Sequence, residues 1–279
     1  MPVSFGREVA NVLLRVFAVV GTIVGVIFAI GWMYETEQTI SDGTCNVAFL
    51  PLEGTILPFY GLVDAPLVIT PEFVDSFMND AEEEEGIDAI LVEINSPGGT
   101  PVASERIAER LHNSSVPVVV LIGDIAASGG YMVAAAADHI VASPMSDVGS
   151  IGVNMSYVEE SKKHEEDGVT YVQLTSAEFK DAGSPDRAIT DAERELFQKD
   201  LDMLHKEFVN MVAEYRGLEV STVERLANGA SMPGARALEE KLVDSLGGWP
   251  EARGVLSTLI GKSVEETIVC DYKGEFLSI

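Results

Sequence analysis

Residues 87–143 read "IDAILVEINSPGGTPVASERIAERLHNSSVPVVVLIGDIAASGGYMVAAAADHIVAS". Two apolar runs, "IDAILVEI" and "VPVVVLIG", lack a polar face and have the length of strands buried on both sides. Between them, "PVASERIAERLHNS" repeats its apolar residues at helical spacing. "SGGYMVAAAA" predicts a short helix and "HIVAS" a short strand. Strand and helix alternate, which predicts parallel strands joined by crossovers in an α/β layer fold.

Upstream, "NVAFLPLEGTI" reads as a strand and turn. "TPEFVDSFMNDAEEEE" reads as a helix with Phe73, Val74, Phe77 and Met78 on one face. Thr70 is its cap and Pro71 its first residue. The acidic run Glu82–Glu85 reads as a solvated helix end. Downstream, Asp191–Arg216 predicts a long amphipathic helix with Leu196, Phe197, Leu201, Leu204, Phe208 and Val212 in one stripe. Two short helices follow at "STVERLANG" and "PGARALEEKL". "ETIVCDYKGEF" reads as a strand that packs on a neighbour.

The 279 residues are 47% apolar, enough for a full core and against disorder. A net charge of −27 argues against binding nucleic-acid phosphate. Cys45 and Cys270 are the two cysteines, and no cluster has zinc-site spacing. They can pair only in an oxidising compartment; otherwise they are two buried thiols.

Val16–Tyr34, "VFAVVGTIVGVIFAIGWMY", carries no charge. As a helix it spans about 28 Å at ~1.5 Å per residue, close to the ~30 Å bilayer core. Trp32 and Tyr34 suit the interface at its far end. Arg7 and Arg15 precede it, while Glu35 and Glu37 follow. The positive-inside rule then puts residues 1–15 in the cytoplasm and everything past Tyr34 outside. The run is long for a cleaved signal peptide and no small-x-small site follows, so an uncleaved signal-anchor is expected. Gly21 and Gly25 form a GxxxG pair, which membrane helices use for association but also carry without it. Residues 35–45 read as a linker and 46–279 as an extracytoplasmic domain. Past Tyr34 there are 16 bases against 44 acids, a net −28.

Two loops, "INSPGGTP" after Ile94 and "GDIAASGG" after Ile122, fall where parallel sheets bind ligands. Gly98 and Gly99 let backbone N–H groups turn toward a ligand. Ser128 opens a helix, whose free N–H groups favour an oxyanion. Acyl transfer needs such a hydroxyl together with backbone donors. The ordinary role of a serine there is a helix cap, and that of Pro-Gly-Gly a turn. Ala126 breaks the Gly-x-Ser-x-Gly elbow. Of four histidines, His112, His164 and His205 read as exposed and His139 as the start of a strand. A Ser-His-Asp triad therefore finds weak support. A lysine can replace histidine where burial keeps its amine neutral. Lys180, in "TSAEFKDAGSP" after the expected strand "TYVQLT", is the candidate; the alternative is a solvated loop lysine.

"INSPGGTPVASERI", "DIAASGGYMVAAAADHIVASPMSDVGSIGV" and "AEFKDAGSPDRAIT" together resemble the signal peptide peptidase A family of membrane-anchored serine proteases, over roughly residues 45 to 250. The resemblance implies the Clp-protease and crotonase fold of stacked ββα units. It implies Ser128 as nucleophile, Lys180 as general base and then acid, and Ser150 holding the lysine amine. The N–H groups of Gly129 and of Gly98 or its neighbour Gly99 would form the oxyanion hole. It implies no metal or cofactor, and as substrates released signal peptides or other unfolded, membrane-derived peptides. The chain departs from the family's Gly-x-[Tyr/Phe]-Lys loop at "AEFK", where Glu178 brings a negative charge. A single motif set implies the short form, a ring of identical subunits, with both dyad residues in each chain, 52 positions apart. Three rival readings are a Ser-Lys membrane protease acting on stomatin-like partners, a catalytically silent membrane scaffold, and an acyl-CoA enzyme of the crotonase type.

Overall fold

The computed structural model describes residues 13–26, 40–41, 43–60 and 67–270. The chain divides into two units, Met1–Thr39 and Ile40–Ile279. In the first, residues 13–26 form a helix, α1, whose side chains are exposed, Phe17 by 75% and Leu14 by 70%. The rest of the expected membrane segment, 27–34, lies outside the described residues. No helix among the described residues is long and apolar enough to cross a membrane.

The second unit is built on a parallel sheet. Strands β1 (Val47–Ile56), β2 (Val68–Ile69), β3 (Ala89–Gly99), β4 (Val118–Ala127), β5 (His139–Ala142) and β8 (Ser245–Leu246) run in the order β2-β1-β3-β4-β5-β8. β6 (Asp147–Gly149) pairs in parallel with the far half of β4, and β7 (Ser231–Pro233) pairs antiparallel with β6. This mixed α/β architecture fits a Clp-protease or crotonase-like fold.

Alternation along the strands divides the core. Ala48, Leu50, Ile90, Val92 and Val120 face a large cluster with α2 (Pro71–Glu83), α3 (Pro101–His112), α4 (Gly129–Ala135) and α6 (Asp191–Arg216). Val47, Leu91, Val119 and Leu121 face the other side, against Ala252 and Leu256 of α9 (Trp249–Ile260). The sequence reading had no helix at α9. Pro250 in its first turn and left-handed Gly261 after its last residue mark its ends. The Thr70 cap of α2 is as expected, its hydroxyl accepting from Phe73 N at 3.3 Å.

Several expectations need correction. The strands do not stop at Ile94 and Ile122. Both continue through the supposed loops after an irregularity, where Asn95 Oδ1 accepts from Ile125 N at 3.3 Å. β4 pairs with β5 before this bend and with β6 after it. "TYVQLT" is exposed and irregular rather than a strand. The acidic run is not merely solvated. Glu82 forks onto Arg110, and the Glu84 carboxylate accepts from the N–H groups of Ile40 and Ser41, both at 2.7 Å. Two further short helices, α7 (Val220–Leu226) and α8 (Gly234–Glu239), lie at the expected places, and α5 (Ser161–Glu166) is an unanticipated one.

Residues 268–270 lie along the start of β1, with Val47 N donating to Ile268 O and Cys270 N to Val47 O. Cys45 and Cys270 are disulfide-bonded, with Cα atoms 5.1 Å apart and 225 positions between them in sequence. A cross-link closing so long a loop removes much unfolded-chain entropy. The double substitution Cys45→Ser with Cys270→Ser is expected to cost about 2–4 kcal/mol. Denaturant unfolding of oxidised protein and of the variant measures this; equal midpoints would mean the bridge adds nothing.

Candidate active site

Ser128 links the end of β4 to α4 with φ 53° and ψ −124°. A non-glycine residue held there stores roughly 1–3 kcal/mol of strain, which surrounding bonds must offset. They are visible: Ser128 N donates to Gly149 O at 2.8 Å, and Met132 N to Ser128 O at 3.0 Å. The Ser128 side chain makes no capping bond to α4. The cap reading therefore fails, and the hydroxyl is left to a cavity. Three non-glycine residues among those described have positive φ, and two of them, Ser128 and Ser150, line this same cavity.

The cavity has a volume of 670 Å³ and is bounded by Gly98, Gly99, Ser128, Ser150, Asn154 and His205, among others. A recess of 90 Å³ adjoins it beside Ser128, with Met132, Val153, Leu204 and Phe208 as its apolar wall. Gly98 and Gly129 show why small residues stand here. Gly98 has φ +99°, and a Cβ on it would lie 2.7 Å from Gly129 N and 3.0 Å from Ser128 Cβ. A Cβ on Gly129 would collide with Ser104 Oγ. The two strand ends thus press backbone against backbone where an oxyanion would need donors. Gly98 N donates to Ser96 Oγ at 3.1 Å, and Ser96 Oγ donates to Gly54 O at 2.7 Å. The Gly98 N–H is therefore already engaged.

Ser150, with φ 52°, donates its hydroxyl to Gly229 O at 3.0 Å. Its own lone pairs stay available to accept from an amine. Lys180 is exposed and does not line the cavity. It sits on a turn, Lys180 N donating to Ala177 O at 3.2 Å. The next residue is tied to Arg187, and Arg187 to Glu193 in the first turn of α6. Glu193 stands about 18 Å along the helix axis from His205, at ~1.5 Å per residue. Within one chain the structure brings Ser128, Ser150, Gly98 and Gly129 together, and leaves Lys180 apart.

His205 is half-buried and is, among the described residues, the one acidic or basic side chain on the cavity wall. The sequence reading placed it in solvent. Its place between Leu201 and Phe208, four residues after one and three before the other, was the available signal; of that expected stripe Phe208 and Val212 reach the core, while Leu201 is half-buried and Leu204 exposed. The other histidines are engaged elsewhere. His139 Nε2 lies 2.9 Å from Ser245 Oγ, His164 Nε2 lies 2.8 Å from Asp186 Oδ1, and the His112 ring packs on Tyr215 at 4.8 Å.

The substitution Gly98→Ala puts a methyl against Gly129 N, Ala127 O and Ser128 Cβ at a φ that L-residues avoid. It is expected to lower the melting temperature and to abolish any Ser128-dependent turnover. Wild-type stability and turnover in this variant would contradict the close packing.

Comparison with known proteins supports the same region. Residues 110–262 match the model of peptidase family S49. A protein named as a protease from Methanocaldococcus jannaschii is 35% identical over 195 residues, covering 69% of this chain and 63% of the relative. A cyanobacterial protein from Synechocystis, also named as a protease, is 38% identical over 64% of this chain and 65% of its own length. A protein from Enterococcus faecium named as a signal peptide peptidase is 32% identical over 86% of this chain and 71% of its own. The chain thus spans less than two thirds of the length of the archaeal and cyanobacterial relatives. With the match covering more than half of the sequence, including Ser128 and Lys180, the chain belongs to peptidase family S49.

Proposed function

We propose that this chain is a membrane-anchored serine endopeptidase that cleaves released signal peptides or other unfolded membrane-derived peptides. The observation that carries this is the strained, uncapped Ser128, opening on a cavity with an apolar recess at its side. The recess suits an aliphatic side chain, the kind a signal peptide supplies in quantity.

Ser128 Oγ attacks the peptide carbonyl carbon as Lys180 takes its proton. The carbonyl oxygen becomes an anion facing the N–H groups of Gly129 and of Gly99, since that of Gly98 is held by Ser96 Oγ; such donors are worth several kcal/mol when preorganised (about 2.7–4 for one). The C–N bond breaks as the lysine returns the proton to the amine. Water then attacks the ester carbonyl, giving its proton to Lys180; the C–Oγ bond breaks as Lys180 returns that proton to Ser128 Oγ, and the acid departs. Ser150 accepts from the Lys180 amine and keeps it aimed.

Lys180 enters this scheme from a neighbouring copy in a ring. The support is its exposure away from the cavity, and the apolar side chains exposed near it. Met155, Val158, Val172 and Leu174 lie in its segment, with Leu174 94% exposed. Large solvent-facing apolar surface marks an interaction site. Two observations support a membrane-anchored domain outside the cytoplasm. Past Arg15, α1 carries no charge and exposes Phe17, Val19, Val20, Ile23 and Val24, which water does not favour. The Cys45–Cys270 bridge suits an oxidising compartment.

A second reading has His205 as the base, because among the described residues it is the one basic side chain on the cavity wall. Turnover of an apolar peptide by the full chain in membranes separates the two. Ser128→Ala and Lys180→Ala are each expected to lose about 10⁴-fold or more in kcat, while His205→Ala keeps most of it. The acid limb of the pH–rate profile should survive in His205→Ala. Near-wild-type turnover in Lys180→Ala, with loss in His205→Ala, would replace the lysine by the histidine.

A further inference from the structure

We infer that Arg187 is a positioning residue for the reaction, clamping the main chain beside Lys180 onto a buried carboxylate at the start of α6. This rests on Lys180 being the base, and it assigns a role to residues outside the Ser128 cavity.

Arg187 makes four guanidinium hydrogen bonds to fixed partners, two from each terminal nitrogen. Nη2 donates to the Asp181 carbonyl at 3.0 Å and to Glu193 Oε1. Nη1 donates to Glu193 Oε2 at 2.8 Å and to Ala188 O at 3.4 Å. Nε faces Asp181 Oδ2 at 3.4 Å. The guanidinium therefore holds residue 181, peptide-bonded to Lys180, by a hydrogen bond to its carbonyl, with its carboxylate close by as an ion-pair partner only. Asp181 is held from a second side, its Oδ1 accepting from the Tyr171 hydroxyl at 3.2 Å. The same carbonyl also accepts from Ser184 N at 3.2 Å.

The anchor at the other end is rigid. Glu193 is 2% exposed, and its Oε2 also accepts from Thr190 N at 2.8 Å and Thr190 Oγ1 at 2.9 Å. Glu193 N donates back to Thr190 Oγ1, which completes a capping box on the 26-residue α6. Gly183 of the lysine loop rests on Phe197 one turn further on, where a Cβ would stand 3.4 Å from the ring. The loop is therefore fixed to the start of α6, which presents Lys180 in one geometry to the neighbouring copy whose Ser128 it serves. A base must be aimed to within a fraction of an ångström, and a 1 Å misplacement costs about 10²-fold. Exposed lysine on a short turn does not achieve that by itself; a two-ended guanidinium clamp does.

The Arg187 guanidinium, then the Thr190 N–H, hold the Glu193 carboxyl down to about 2. A lowered carboxyl stabilises the fold above the ordinary carboxylate range and loses that contribution as pH falls toward 2. The clamp therefore stays ionised across the working range, and an acid limb above pH 4 does not arise from it.

The test compares Arg187→Lys, Glu193→Gln, Lys180→Ala and the double variant Lys180→Ala with Arg187→Lys, all in the full membrane-embedded chain. Lysine keeps the charge of Arg187 but not the fork. For Arg187→Lys we expect kcat to fall about 10–10²-fold, with KM near wild type and the acid limb of the pH–rate profile displaced. The double variant should be no slower than Lys180→Ala alone, because the clamp acts only through the lysine. Melting temperatures check folding, and Glu193→Gln decides if Arg187→Lys unfolds. Wild-type kcat and an unmoved limb in the folded clamp variants, beside an inactive Lys180→Ala, overturn the clamp and leave the dyad standing. Full turnover by Lys180→Ala overturns the base assignment and the clamp with it.

Discussion

Everything at the site depends on one close approach, the pressing of the β3 end against the turn after β4. Gly98 sits with its backbone so near Gly129 N and Ser128 Cβ that no side chain fits between them. That contact is possible because β3 and β4 run in parallel and both continue past their bends, and because β6 pairs with the far half of β4. Gly149, the last residue of β6, then holds Ser128 N from the other side. Ser128 is left in a left-handed conformation that a free chain would abandon. The sheet supplies the restraint, and the hydroxyl points to a cavity instead of capping α4.

This account makes α6 more than a packing helix. Its C-terminal part, through Phe208 and Val212, belongs to the main core. Leu204 and His205 face the cavity, and Thr190 with Glu193 hold the lysine loop. The exposed side of Leu204, Met203 and the apolar residues of segment 155–179 lies outside the core of a single chain. The helix thus has one end in the core and the other bonded to the loop that carries Lys180.

Much of the fold was legible in the sequence because buried parallel strands and long amphipathic helices leave strong patterns. The run "VPVVVLIG" and the stripe of α6 are such cases, and the Thr70 and Pro71 start of α2 is another. The ends of β3 and β4 were not legible, since "NSPGG" and "DIAAS" have turn composition yet continue in strand pairing with new neighbours. α9 was missed because its apolar face is short and covers only the back of the sheet. At the site, Ser128 and the glycines could be placed by resemblance and by the physical demand for backbone donors. His205 and Arg187 could not: one depends on which way a helix stripe turns, and the other on a loop folding back on its own helix start.

The most direct measurement is covalent labelling of the full-length chain by a fluorophosphonate, with the adduct located by mass spectrometry and its rate followed in the presence and absence of Lys180. The account predicts a single adduct on Ser128, formed far more slowly once Lys180 is alanine. An adduct on a different serine, or none on Ser128 in the folded native protein, would contradict it.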